Sequence, residues 1–406
     1  MDSIVVIECT DGHQVTQLSY LESICPMLHD RVAFNPEHQA LSLSVNATCQ
    51  QMSQVINFIE QMDPELENLD NAFEIYLISN QFNLSGLRMK CQHFMVELLN
   101  VKNICRIYEF AVSVDDHVIQ FYCLGKFEEV WEDLIELDEF LDCKESTIMK
   151  LISRPCYKNI DEFLLIIGVY NWAKRRITDS EESNREVFLA QLRSVIDPFI
   201  PKFRFLVLEI EDLTDKTFNN ILDCLTPEEK DSLLTFYTTG VLSNCPETLC
   251  QERNPRRLAF CENLYSFQHR HFFQNRRNFI ITNETTFTCE IFVKEDTYVL
   301  DVELPIYHSK TGGIDLLFCG YLESRNCPIQ NQILNCNSVG HACVDTIFLK
   351  RDSTARFTVK ISDPSVIEGD VMAKNEIDYF YENSNFGEVP NEETIDNFYF
   401  TVGVSF

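Results

Sequence analysis

The sequence predicts a multidomain α+β chain, helical through its middle and antiparallel β at its C-terminal end. Its 406 residues are enough for two or three domains of about 100–200 residues each. Apolar residues recur at helical spacing until about residue 250 and alternate as in strands beyond it. Residues 251–406 hold seven of the twelve glycines, as turns between short strands require.

Acidic side chains outnumber basic ones 63 to 33, a net charge of −30. Phosphate backbones and anionic lipids select Lys and Arg, so this balance argues against nucleic-acid and membrane partners. The longest strongly apolar stretch, Phe163–Ala173, is too short to span a bilayer. The start, MDSIVVIECTDG, lacks the basic residues and long apolar run of a secretory signal, so a cytoplasmic or nuclear location is expected. The seventeen cysteines then read as free thiols packed as small hydrophobes. No C-x-x-C pair occurs, and the loose group Cys319, Cys327, Cys336, His341 and Cys343 has gaps too irregular for a zinc knuckle. No metal or cofactor is expected.

Residues 1–99 open with strands. Ser3–Cys9 is β-branched, and Asp11-Gly12 reads as a turn into His13–Gln17. An amphipathic helix is expected over Ser19–Arg31 and a third strand over Leu41–Val45. Three helices follow: Gln50–Gln61 with Met52, Val55, Ile56 and Ile59, Asn71–Asn80 with Phe73, Tyr76, Leu77 and Ile78, and Ser85–Leu99 with Leu87, Cys91, Phe94, Met95 and Leu98. Residues 100–243 read as all helix, over Val101–Val114, Val118–Leu124, Leu134–Leu141, Thr147–Ser153 and Ile160–Arg176. The last region, 279–406, alternates as strands over Thr286–Lys294, Thr297–Leu304, Ile314–Tyr321, Cys343–Leu349, Ala355–Ile361 and Phe398–Phe406. That strand density predicts an antiparallel β-sandwich.

A hairpin, a helix, a third strand and then several helices is an order that resembles the BTB/POZ fold. The resemblance covers residues 3–98, and Leu87, Cys91 and Phe94 match that family's Leu-x-x-x-Cys-x-x-(Phe/Tyr) core. Ser23 and Met27 fall in the region of its Ser-x-x-Phe segment, with one residue more between them and the aromatic replaced. STIMKLISRPCYKNIDEFLLIIGVYNWAKRR resembles the BACK domain that follows BTB, through Ile148, Leu151, Ile152, Ser153, Glu162 and Trp172, with Arg204, Phe205 and Leu213 farther on. A sandwich after BTB and BACK resembles chains ending in PHR- or TRAF-type domains. The resemblance implies a protein adaptor that links a client to a cullin-type ubiquitin ligase. Cullin-binding members of that family carry a hydrophobic-x-Glu element, of which Met27, Asp30 and Phe34 are the nearest counterparts. No helix precedes the first strand, which implies a monomer or a dimer without a swapped arm.

Residues 244–278 form a connector with a charge opposite to the rest. Arg253, Arg256, Arg257, Arg270, Arg276 and Arg277 face two Glu between 251 and 280, a local +4. With Phe260, Tyr265, Phe267, Phe272 and Phe273 interleaved, these arginines suit an acidic or phosphorylated peptide, or they pair with acids of the same chain. His269 and His271 are too few for a metal site. No G-x-S-x-G, P-loop, G-x-G-x-x-G or H-E-x-x-H occurs, and the acids of Glu128–Glu139 lie on a solvated helix face. The expectation is a non-enzymatic adaptor. A scaffold or assembly protein without a ubiquitin role is the alternative. A third reading, a sandwich enzyme or lectin-like binder, requires polar side chains converging in one cleft of residues 280–406.

Overall fold

Ile4–Cys9 (β1) and Gly12–Gln17 (β2) form the expected hairpin, with Cys9 opposite Gly12. In this computed structural model the described residues are 3–36, 39–60, 62, 64–154, 157, 160–178, 184–209, 212–242, 245–256, 265–267, 286–293, 296–304, 306–322, 327–363, 371–373 and 401–405. The turn falls on Thr10 and Asp11. The chain folds as mixed α+β in two compact units, residues 1–148 with 167–196, and residues 149–166 with 197–406.

In the first unit the expected Ser19–Arg31 helix is two helices, Leu18–Ile24 (α1) and Pro26–His29 (α2). Pro26 is the reason. It disfavours helical geometry at Cys25, which sits at φ −132°, ψ 70°. Ala33–Asn35 (β3) and Ala40–Ser44 (β4) complete a sheet of order β2-β1-β4-β3, in which β4 runs parallel to β1 and antiparallel to β3. Val5, Ile7 and Leu43 bury one face.

Cys49–Ile59 (α3) starts on a capping box of Thr48 and Gln51. Asp11 Oδ1 also accepts from the Cys49 amide at 2.6 Å, tying the hairpin to this helix. Leu69–Gln81 (α4) and Ser85–Glu97 (α5) follow. Met52, Val55, Ile59, Leu87, Cys91 and Met95 are buried as their spacing predicts, whereas Leu77 and Leu98 are exposed.

Ile104–Ser113 (α6), His117–Leu134 (α7), Asp138–Leu141 (α8), Glu145–Ile152 (α9), Glu162–Lys174 (α10) and Arg185–Ile196 (α11) make the helical region. Buried Asp116 caps α7 through the Ile119 amide and accepts from Tyr76 Oη and Gln92 Nε2, each at 2.5 Å. Burial and that carboxylate together raise the Tyr76 phenol above its ordinary range. Trp172 is buried and donates from Nε1 to the Cys143 carbonyl at 2.9 Å, while Arg176 stacks 3.8 Å from its ring.

The second unit adds Lys216–Cys224 (α12) and Pro227–Thr239 (α13), then strands. These are Tyr265–Phe267 (β5), Thr286–Val293 (β6), Thr297–Glu303 (β7), Ile306–His308 (β8), Ile314–Leu322 (β9), Cys327–Cys336 (β10), His341–Leu349 (β11), Ser353–Ile361 (β12), Val371–Ala373 (β13) and Thr401–Ser405 (β14). They form sheets of order β10-β9-β12-β6 and β11-β7-β14-β5, with β13 and β8 as a separate pair. One apolar cluster draws on both four-stranded sheets, including Phe318 and Phe357 from one and Val302 and Leu349 from the other.

Strict alternation over Thr297–Leu304 would place Tyr298, Leu300, Val302 and Leu304 on one face. The core instead receives Val299, Val302 and Leu304. Val299 and Asp301 pair with Val404 and Gly403, so Leu300 is an extra residue that shifts the register.

Two helical glycines give opposite expectations. A Cβ on Gly125 meets nothing within 4 Å, whereas one on Gly168 would lie 2.8 Å from Trp131 Cζ2 and 3.1 Å from Ile135 Cγ2. Gly125→Ala should raise stability by about 0.5–1 kcal/mol. Gly168→Ala should lower it by about 1–3 kcal/mol, because overpacking outweighs helix propensity. Urea unfolding followed by far-UV circular dichroism checks both signs.

Candidate interaction surfaces

Met27, Asp30 and Phe34 lie on the short run from α2 into β3. Leu28 takes the buried position of α2, which leaves Met27 half exposed and Asp30 exposed at the end of the helix. Phe34 sits opposite Leu41 on the outermost strand of its sheet and is 63% exposed. Asp30 Oδ1 lies 3.5 Å from His29 Nδ1. The segment thus presents two large apolar side chains and a carboxylate to solvent. β3 itself is not legible in the sequence, because three residues are too few to display a period.

The arginine-rich connector divides differently from its expected role. Arg257, Arg270, Arg276 and Arg277 lie outside the described residues, as do His269 and His271. Arg253 is exposed and rests 5.4 Å from the centre of the Phe236 ring. Of the two roles expected of it, Arg256 takes the second: it pairs with an acid of the same chain, and as a buried, fully engaged side chain it is no part of an anion-binding patch. Its Nη1 pairs with Glu162. Nη2 donates to the carbonyls of Ile152 and Lys202, each at 2.8 Å, and Nε donates to that of Arg154 at 2.9 Å. The second Glu162 oxygen accepts from the Arg204 amide at 2.8 Å. The Arg204 guanidinium donates to the Asn254 carbonyl at 2.8 Å. Burial and the neighbouring Arg256 charge lower the Arg204 pKa. Glu162, read as part of a packing motif, is the acid that binds this strap of chain.

Of the loose cysteine group, the side chain of Cys327 lies outside the described residues. Cys336 is buried in the core and Cys343 is exposed, while Cys319 is half-buried on another strand. Among the described residues no three His, Cys, Asp or Glu side chains stand as a metal site. His341 Nε2 lies 3.7 Å from Asp301 Oδ1, across the β11–β7 pair. Burial raises the Asp301 carboxyl; His341 opposes that shift and Glu303 adds to it.

A polar groove of about 590 Å³ opens beside β10 and β11. Asn331, Gln332, Ile333, Asn335, Asp345 and His341 are among its lining residues. Several are spent on the fold. Gln332 Nε2 donates to the Asp345 carbonyl at 3.3 Å and its Oε1 accepts from the Asp345 amide at 2.7 Å. Asn337 Oδ1 accepts from the amides of Val339 and His341. The readable signal was the alternation of Asn331, Ile333 and Asn335, all exposed, with buried Leu334 and Cys336.

Arg256→Met should lower stability by about 3–5 kcal/mol, since it leaves the Glu162 carboxylate buried and unpaired. Combined with Glu162→Gln, the loss should fall short of the summed single losses by at least about 1 kcal/mol in denaturant unfolding. Among the described cysteines of the native chain, Cys343, the exposed one, should be alkylated first at pH 8. Cys9 should react slowly until the pH nears 11, because burial pushes its thiol up to about 11. Peptide mass mapping reads the order, and the denatured chain should titrate all 17 thiols.

No protein-family model matches the chain. Rabankyrin-5 from Mus musculus and Rabankyrin-5 from Homo sapiens are each 28% identical to it over 85 residues, 20% of the chain. The chain spans 7% of the length of these curated relatives. A solved structure described as a novel family GH115 4-O-methyl-α-glucuronidase, BtGH115A, with specificity for decorated arabinogalactans, aligns at 9% identity. It covers 91% of this chain and 46% of its own, with a TM-score of 0.18, which bears on neither fold nor activity.

Proposed function

We propose that the protein is a non-enzymatic adaptor of BTB/POZ–BACK architecture with a C-terminal β-sandwich, which links a client protein to a cullin-type ubiquitin ligase. The N-terminal order supports the first module: a hairpin, a further strand parallel to β1, and then a run of helices. Two four-stranded sheets sharing one apolar cluster support the sandwich. Among the described residues no helix is long and apolar enough to cross a membrane.

The observation that carries the reading is the exposure of Met27 and Phe34 beside Asp30. Exposed large apolar side chains near a sheet edge are what a docking helix of a partner would bury. A scaffold or assembly role without ubiquitin is the second reading. Asp30 favours it, since the cullin-docking element carries a glutamate.

The test uses the purified full chain and a purified cullin scaffold, with bio-layer interferometry. The adaptor reading expects binding that weakens at least about tenfold in the Met27→Asp, Phe34→Asp double variant. Both side chains are exposed, so that variant should keep its circular dichroism. Absence of wild-type binding would reject the adaptor role and leave the scaffold reading.

A further inference from the structure

The groove between β10 and β11 has features that neither the fold nor the N-terminal surface uses. Among the described residues, each strand pairs with a single neighbour and ends its sheet, β10 beside β9 and β11 beside β7. Exposed sheet edges are normally blunted by charge, proline or a covering element. From Asn331 to Asn335, β10 has neither charge nor proline, and Ile333 stands 75% exposed at its centre. A groove of about 590 Å³ runs beside it, within the size range of about 300–1,000 Å³ typical of ligand sites.

Asp345 lies on β11, and its backbone amide and carbonyl are already paired with the Gln332 carboxamide, so among the described residues the edge open to an added strand is that of β10. The electrostatics select the partner. The groove lining contains no Lys or Arg, and its acidic side chain is the exposed Asp345. No Lys or Arg pairs with that carboxylate among the described residues, in a chain of net charge −30. An anionic ligand would meet no countercharge, whereas a cationic side chain would.

We infer that this groove binds an extended peptide segment, lying along β10 with an apolar side chain against Ile333 and a lysine or arginine directed to Asp345. The inference rests on the adaptor reading, for which it names the client's chemistry: an unfolded basic segment rather than a folded surface. Main-chain pairing would supply affinity, and alternate side chains would supply selectivity.

The experiment selects a random octapeptide library displayed on phage against the purified full chain. Selected peptides should be enriched in one Lys or Arg flanked by alternating apolar residues. Synthetic copies should bind Asp345→Asn and Ile333→Asp at least about tenfold more weakly by fluorescence anisotropy. Both side chains are exposed, so both variants should fold, and both should bind the cullin scaffold as wild type does. Selection without basic residues, unchanged affinity in either variant, or no enrichment over Ile333→Asp would overturn the inference. Failure of the cullin test with these peptide results intact would remove the ligase link alone.

Discussion

A carboxylate and a guanidinium with side chains only 3% and 4% exposed hold the strap before β5 to the start of α10. Dehydrating Glu162 and Arg256 is costly, and their attraction offsets that cost only if the remaining hydrogen-bonding capacity is filled. It is filled: three carbonyls receive the other guanidinium donors, and the Arg204 amide reaches the second carboxylate oxygen. The carbonyls belong to residues 152, 154 and 202, so one side chain fixes three stretches of backbone that are distant in sequence. Tyr157 returns the contact, donating its amide to the Arg256 carbonyl at 2.7 Å. A helix N-terminus that carries this carboxylate is therefore a fixed point of its unit rather than a frayed end.

The two candidate surfaces are built by the same rule. In each, a neighbouring residue takes the buried position and leaves its apolar companion outside. Leu28 is buried and Met27 exposed; Leu334 is buried and Ile333 exposed. Both surfaces offer shape, backbone edges and one acid. That combination suits recognition of other chains.

Helical periods were legible in the sequence wherever one face is buried throughout. Met52, Val55 and Ile59, or Leu87, Cys91 and Met95, are in the core because their spacing demands it. Strand periods were less legible. Leu300 inserts an extra residue into β7, and β10 carries a register shift between Ile329 and Gln332. Each breaks the two-residue alternation that reveals a strand. Two of its buried positions are Leu334 and Cys336, set among amides that resemble a loop. Pairing of the connector arginines with acids was legible, but which arginine is buried and which acid it meets was not: a buried arginine and a surface one have the same local context, and Glu162 lies 94 residues away.

Strand order also has a consequence for biogenesis. In the sheet β11-β7-β14-β5, the partner that separates β7 from β5 comes from residues 401–405. As the chain leaves the ribosome, the edges of β7 and β5 emerge long before the strand that joins them. Pairing across so many residues is slow, and unpaired strand edges are aggregation-prone while they wait. Residues 401–405 are thus the ones that close this sheet, after its other three strands are made, which places the demand for chaperone protection in that interval.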